Sequence, residues 1–200
     1  MPSTDDVKMA KKALRTTIAN LLKTVSEDSI KRETEAVTQK IFNSEWFRNA
    51  QRISVYVNTE GEIETDAIIL KALELKKDVF VPRFKRGQRQ MEMLKLENAL
   101  EFAKLDTTLW GIRQHHPDLS PLSYKDYGAL DLVVMPGVAF TTSGLRLGHG
   151  KGFYDQFLHE HKQLYGKFPT TVGLALQAQM VDTLPTSEYD VQLDQVYRAT

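Results

Sequence analysis

The stretch Asp131-Leu132-Val133-Val134-Met135-Pro136-Gly137-Val138-Ala139-Phe140-Thr141-Thr142-Ser143-Gly144-Leu145-Arg146-Leu147-Gly148-His149-Gly150-Lys151-Gly152-Phe153-Tyr154-Asp155 decides the reading of this chain. Its first five residues form a near-continuous apolar run, which suits a strand buried on both faces of a parallel sheet. Four glycines follow, at 144, 148, 150 and 152, and a helix is expected from about Phe153 to Tyr165. Glycine lets backbone N–H groups approach a ligand closely and adopt positive φ. The loop delivers those groups to a helix N-terminus, where an anion is favoured. Arg146 and Lys151 add positive charge beside them. Asp155, just beyond, is placed to hold a hard cation such as Mg²⁺.

This loop is neither of the familiar nucleotide loops. A Walker A loop follows Gly-Lys with Ser or Thr, whereas Gly150-Lys151 is followed by Gly152. A dinucleotide loop carries G-x-G-x-x-G directly after the first strand; here the spacing is G-x-G-x-G, late in the chain. The plain alternative is a surface loop with glycines at its turns. Four glycines interleaved with Arg, Lys and Asp favour the phosphate site over that alternative.

Working outward, the rest of the chain alternates helices and strands. Val7, Leu14, Ile18, Leu21 and Val25 make an apolar stripe at helical spacing, which predicts a helix from Asp5 to Val25. Ser26 reads as the N-cap of a second helix with Glu27 and Asp28 in its first turn. Ile53 to Val57 is a strand, and Thr65 is a candidate cap for a helix carrying Ile68, Ile69, Ala72 and Leu73. Val79-Phe80-Val81 is a short strand ended by Pro82, followed by a basic turn around Gly87 into Met91–Leu96. Glu97 to Leu105 suggests a short helix, and Gly111 to Gly128 reads as loop. Thr171–Leu176 and the tail through Val196 supply further strands. The expectation is a single α/β domain over residues 1–200: a three-layer sandwich with a mostly parallel mixed sheet and helices on both faces.

Composition excludes several functions. Lysine plus arginine and aspartate plus glutamate each total 26, so no net charge argues for general binding to nucleic acid or anionic membranes. There are no cysteines, which removes disulfides, thiolate metal sites and cysteine nucleophiles. No apolar run approaches the ~18 residues of a membrane span. The opening residues lack the apolar core of a secretory signal, so a cytosolic address is expected. His159 and His161 do not share a helix face and make a poor metal pair. His115-His116 lacks recognisable ligand partners.

The segment around the loop resembles the 5-formyltetrahydrofolate cyclo-ligase family, whose signature is close to P-G-x-x-F-D-x-x-G-x-R-L-G-x-G-x-G-Y-Y-D. The chain matches at Pro136, Gly137, Phe140, Gly144, Arg146, Leu147, Gly148, Gly150, Gly152, Tyr154 and Asp155. It departs at Thr141 in place of aspartate, at Phe153 in place of tyrosine, and at His149, where arginine is frequent. The resemblance runs from about Ala10 to Val196.

Lys11 and Arg15, four residues apart, share a helix face. Read alone, Lys11 is a lysine snorkelling at the edge of the apolar stripe. The family places a K-x-x-x-R pair on its first helix against ATP phosphates, and Lys11, Lys12, Ala13, Leu14 and Arg15 match that segment. By the same resemblance Arg146, Leu147, Gly148, His149, Gly150, Lys151, Gly152, Phe153 and Tyr154 would complete the ATP site, with Lys151, Arg146 and Arg15 acting on the transferring phosphoryl group. Glu62, read alone as part of a solvated acidic loop, falls on the family's pterin contact. Val57, Met91 and Trp110, with His149 and Phe153, would line the folate pocket. Asp155 and Asp190 would hold Mg²⁺, Asp194 being the nearby structural alternative.

What the resemblance implies is ATP- and Mg²⁺-dependent closure of 5-formyltetrahydrofolate to 5,10-methenyltetrahydrofolate, by a monomer binding neither nucleic acid nor membrane. Two rivals stand beside it. One is an ATP-dependent enzyme acting on another pterin or small amide. The other is a folate or nucleotide sensor on the same scaffold without turnover, which the departures at Thr141, His149 and Phe153 keep open.

Overall fold

The computed structural model describes residues 4–200. A six-stranded sheet runs in the order β10-β9-β6-β1-β2-β3, built from β1 (Arg52–Val55), β2 (Asp78–Arg83), β3 (Glu92–Leu96), β6 (Leu132–Met135), β9 (Thr170–Leu174) and β10 (Gln195–Tyr197). Every pairing is parallel except β2 with β3, which closes one edge antiparallel through the basic turn. The apolar run at 132–135 is buried throughout and lies at the centre of the sheet, paired with β1 on one side and β9 on the other.

Helices α1 (Thr4–Leu22), α2 (Glu27–Asn43), α4 (Asp66–Glu74) and α6 (Phe153–Tyr165) form where expected, but α1 stops short of Val25 and leaves Leu21 of its stripe exposed. Ser26 caps α2 by accepting from the N–H of Ser29. The connection β1–α4–β2 moves one way along the sheet and β6–α6–β9 moves the other. Crossovers of the same right hand therefore put α4 and α6 on opposite faces, which gives the three layers. The same reversal makes the gap between β1 and β6 a topological switch point, where the carboxyl ends of two neighbouring strands open a crevice.

Several local expectations are corrected. Pro82 does not end its strand; β2 continues to Arg83. Its register with β1 stops at Phe80, so the proline sits where the central strand is no longer alongside and only β3 lies opposite. Thr65 occupies the position before α4 without a side-chain cap; its hydroxyl donates instead to the Tyr56 carbonyl at 2.6 Å. A short α3 (Glu45–Asn49), capped by Ser44, went unforeseen. So did two miniature hairpins, β4 (Asp106–Thr107) with β5 (Arg113–Gln114), and β7 (Ala139–Phe140) with β8 (Arg146–Leu147). The expected short helix is α5 (Ala99–Ala103).

Candidate functional site

The loops leaving β1 and β6 enclose a cleft of about 400 Å³ at the switch point. The β1 side is a stapled turn. Tyr56 donates its hydroxyl to Ile63 O at 2.8 Å, and Glu62 accepts from both the N–H and the hydroxyl of Thr59, at 2.7 and 3.0 Å. Glu62 is thereby aimed across the cleft at His149, whose Nε2 lies 3.6 Å from its carboxylate. Tyr154 lies on the same wall. Burial pushes the phenols of Tyr56 and Tyr154 well up, and the Glu62 carboxylate adds to both, so both stay neutral.

The β6 side is the glycine-rich loop, folded as the β7–β8 hairpin and its exit into α6. Gly144, at φ 90°, stands against Leu193 O; a Cβ there would strike that carbonyl. The pairing is reciprocal, because Leu193 N–H donates to Gly144 O at 2.8 Å. Thr141 organises the same turn. Its hydroxyl meets Ser143 Oγ at 2.8 Å and accepts from Leu145 N–H at 3.0 Å. The residue that departs from the family's aspartate is thus a buried turn-former here.

Arg146 is almost wholly buried. It donates to Pro136 O at 3.2 Å and to Asp155 Oδ2 at 3.1 Å, and its guanidinium lies 5.6 Å from the centre of the Tyr154 ring. Arg146 Nε and Tyr154 Oη are buried with no hydrogen-bond partner among the described residues. Orphaned polar groups beside a cleft are what a bound polar ligand would satisfy. Lys151 is exposed at the rim of the cleft.

Helix α1 reaches the loop from outside. Arg15 Nε donates to Gly148 O at 2.8 Å, and the guanidinium stands 3.2 Å from where a Cβ on Gly150 would be. Burial lowers the pKa of Arg15, and Asp190 opposes that shift. Lys11 Nζ donates to Asp190 Oδ2 at 2.5 Å, and the same oxygen accepts from Ser187 N–H at 2.7 Å. Leu14 packs with Ile18, Val138 and Leu147, which docks the helix on the β7–β8 hairpin.

The far wall is aromatic. Phe84, Trp110 and Phe153 meet with ring centroids 5.1 to 6.1 Å apart in tilted and edge-on arrangements. Trp110 is 57% exposed and adopts φ 59°, unusual for a bulky residue, at the tip of the β4–β5 hairpin.

The cleft therefore collects Val57, Glu62, Trp110, Arg146, Gly148, His149, Lys151, Gly152, Phe153, Tyr154 and Asp155 from the expected set. Lys11, Arg15, Gly150 and Asp190 do not line it; Arg15 meets the loop at Gly148 O and beside Gly150, and Lys11 meets Asp190. Lys12 and Ala13 are exposed, while Leu14, Leu147 and Met91 pack in apolar clusters. Asp194 is the structural hydrogen-bonder, accepting from the N–H and hydroxyl of Thr171 at 2.8 and 3.0 Å. Sequence reasoning missed Tyr56, Thr59 and Ile112 on the cleft wall, and gave Phe84 no role there. Phe84 had one signal, the match of the Pro82-Arg83-Phe84 turn to the family; the others had none. His161 is structural as well: its Nε2 accepts from Leu130 N–H at 3.0 Å, so Nδ1 carries the proton and donates to Lys167 O.

Asp155 and Asp190 each already face a cation, and no group of three or more metal-ligating side chains occurs among the described residues. Two carboxylates do fit a magnesium ion that keeps waters and takes its remaining ligands from phosphates.

Comparison with known proteins gives the family. A probable 5-formyltetrahydrofolate cyclo-ligase of Caenorhabditis elegans is 48% identical over 191 residues, covering 95% of this chain and 93% of that protein. The Mus musculus 5-formyltetrahydrofolate cyclo-ligase is 33% identical over 190 residues, covering 95% and 94%. The solved structure of Aquifex aeolicus 5,10-methenyltetrahydrofolate synthetase superposes with a TM-score of 0.73 at 24% identity, over 94% of this chain and 88% of that one, and supports the fold. A model of the 5-formyltetrahydrofolate cyclo-ligase family matches residues 7–199, and the chain belongs to that family.

Proposed function

We propose that this protein converts 5-formyltetrahydrofolate to 5,10-methenyltetrahydrofolate with consumption of ATP, as a monomer working in the cytosol. Family membership over residues 7–199 supports the reaction. The observation that carries the chemistry is the cleft itself, which is lined by a cationic glycine loop, a carboxylate near two neutral phenols, and the aromatic cluster of Phe84, Trp110 and Phe153.

The N5-formyl carbon of the substrate is amide-like and its oxygen is a poor leaving group. Transfer of the γ-phosphoryl group of ATP to that oxygen, releasing ADP, converts it into a phosphate ester. N10 then attacks the carbon and loses its proton, and phosphate departs with the former formyl oxygen. No protein nucleophile is required, which suits a chain without cysteine. Catalysis by positioning and by neutralising phosphoryl charge is enough.

In this reading Lys151 and the backbone of Gly148–Gly152 face the phosphates. Arg15 holds the loop through Gly148 O, with Lys11 set behind it. Arg146 braces the loop between Pro136 O and Asp155. Glu62 anchors the pterin ring by its carboxylate, and Trp110, Phe84 and Phe153 hold the ring plane so that N10 meets the activated carbon. Asp155 and Asp190 would hold magnesium, which would supply neutralisation of phosphate charge.

Oxygen labelling tests the path. With ¹⁸O in the formyl group, the label is expected in inorganic phosphate after turnover. Label retained in folate or lost to water would exclude phosphorylation of the formyl oxygen.

A further inference from the structure

Phe84 is the first residue beyond the β2–β3 register, which ends at Arg83 opposite Glu92. Its backbone is buried and has lost its strand partner, a costly arrangement unless another group pairs with it. The partner is a side chain. Gln114, 1% exposed, accepts from Phe84 N–H and donates to Phe84 O, both at 2.9 Å. A primary amide presents a donor and an acceptor side by side, so it imitates one residue of a neighbouring strand.

Gln114 belongs to β5, the returning strand of the hairpin that carries Trp110 at its tip. This hairpin lies outside the main sheet and pairs only within itself, Asp106 opposite Gln114 and Thr107 opposite Arg113. Arg113, paired with Asp66, ties its outer side to α4. The inner side is joined to the sheet's edge by the Gln114 amide, with Arg83 reaching across to the carbonyls of His116 and Leu119 just beyond. Phe84 and Trp110 thus approach to 5.9 Å with Gln114 as the link between the segments that carry them.

We infer that Gln114 is a positioning residue for the folate side of the cleft: its amide clamps the Trp110 hairpin to the Phe84 backbone and so sets the width of the aromatic wall. The inference rests on the folate reading given above. Gln114 touches no substrate; it acts through Phe84 and Trp110. The Gln114 amide bonds the Phe84 segment and not the glycine loop, so loss of the clamp is expected to separate the two substrates kinetically.

Gln114→Met keeps the length and removes the amide. Its KM for 5-formyltetrahydrofolate is expected to rise about tenfold, with kcat and the KM for ATP within about twofold of wild type. Gln114→Glu supplies a sharper test. The carboxylate accepts from Phe84 N–H but opposes Phe84 O with a second acceptor; protonated, it donates there and restores the pair. Its folate KM, divided by that of wild type at the same pH, is expected to fall toward one as pH is lowered. Arg83, Glu92 and Lys85 at the Phe84 end and Arg113, Asp66, His115 and Glu101 at the hairpin end are common to both proteins, so the ratio reads chiefly the new carboxylate and its coupling to them. A folded Gln114→Met with unchanged folate KM would overturn the inference. So would parallel changes in both KM values without recovery of Gln114→Glu at low pH, which is what a general structural role gives. If Gln114→Met fails to fold, Gln114→Glu decides alone. Absence of turnover in wild type would sink the folate reading instead. Trp110 fluorescence anisotropy, measured without substrate in a Trp46→Phe background, then still decides the clamp: lower in Gln114→Met supports it, unchanged refutes it.

Discussion

Arg146 and Lys151 carry similar charge into the same loop and differ in everything else. Arg146 is pinned between a carbonyl and Asp155, so removing it strands a carboxylate and costs fold and function together. Lys151 is exposed and forms no ion pair among the described residues. Lys151→Ala is expected to lower kcat/KM by about 100-fold or more while stability changes by less than about 0.5 kcal/mol, read from kinetics and a melting curve. Loss of both in proportion would remove its role at the phosphate. His115 and His161 give a different signal. Burial depresses the pKa of each, most strongly as desolvation of the charged form. The folded state keeps them neutral while the unfolded chain takes up protons near pH 6.5, so their contribution is complete above about 6.5 and is lost as pH falls below it. Urea midpoints are expected to drop from pH 7.5 to 5.5, and His161→Gln to flatten that drop. The place of Arg146 and Lys151 beside the cleft was legible because their interleaved glycines mark a close-approaching turn. Gln114 was not: its partner is a backbone 30 residues away, and no local pattern records that.

Among the elements, the long ones were legible and the two-residue ones were not. α6 runs from Phe153 to Tyr165, where a helix was expected after the glycine-rich loop, and the 132–135 strand is central and parallel as its unbroken apolar run suggests. The β4–β5 and β7–β8 hairpins contribute two residues per strand, too few for any period to show. Yet these two hairpins present Trp110 and Arg146. Gly144 holds the second of them against the segment entering β10, at a φ that side chains rarely adopt. Gly144→Ala is expected to destabilise by about 2 kcal/mol or more, a Tm loss of several degrees, because strain and a backbone collision add. A neutral Tm would show that the loop does not need this closure.

At the scale of the whole molecule, the site follows from topology. Opposite crossover directions leave β1 and β6 side by side, and the two loops that leave them supply the carboxylate and the glycine-rich turn of the cleft. α1 then lies across the loop through Arg15 and Lys11, so the first helix and the end of the chain brace one another at Asp190. Nucleotide binding is therefore expected to stabilise the entire chain. At 100 times its Kd, ATP with Mg²⁺ should add about 2.7 kcal/mol, seen as a raised Tm, and Arg15→Ala should abolish most of the shift. An equal shift in that variant would place the nucleotide elsewhere. The α/β class and the switch-point loop were legible in the sequence because buried parallel strands and glycine turns are local patterns. The convergence of residues 62, 110, 146 and 155 on one cleft was not, since only the packed sheet and the resemblance bring them together. The most direct test of the account is near-UV absorbance of the purified protein with 5-formyltetrahydrofolate, ATP and Mg²⁺. Growth of the methenyl-folate band that requires ATP and fails in Lys151→Ala is the predicted result; folate bound with no band and no ATP consumed would contradict it and leave a sensor on the same scaffold.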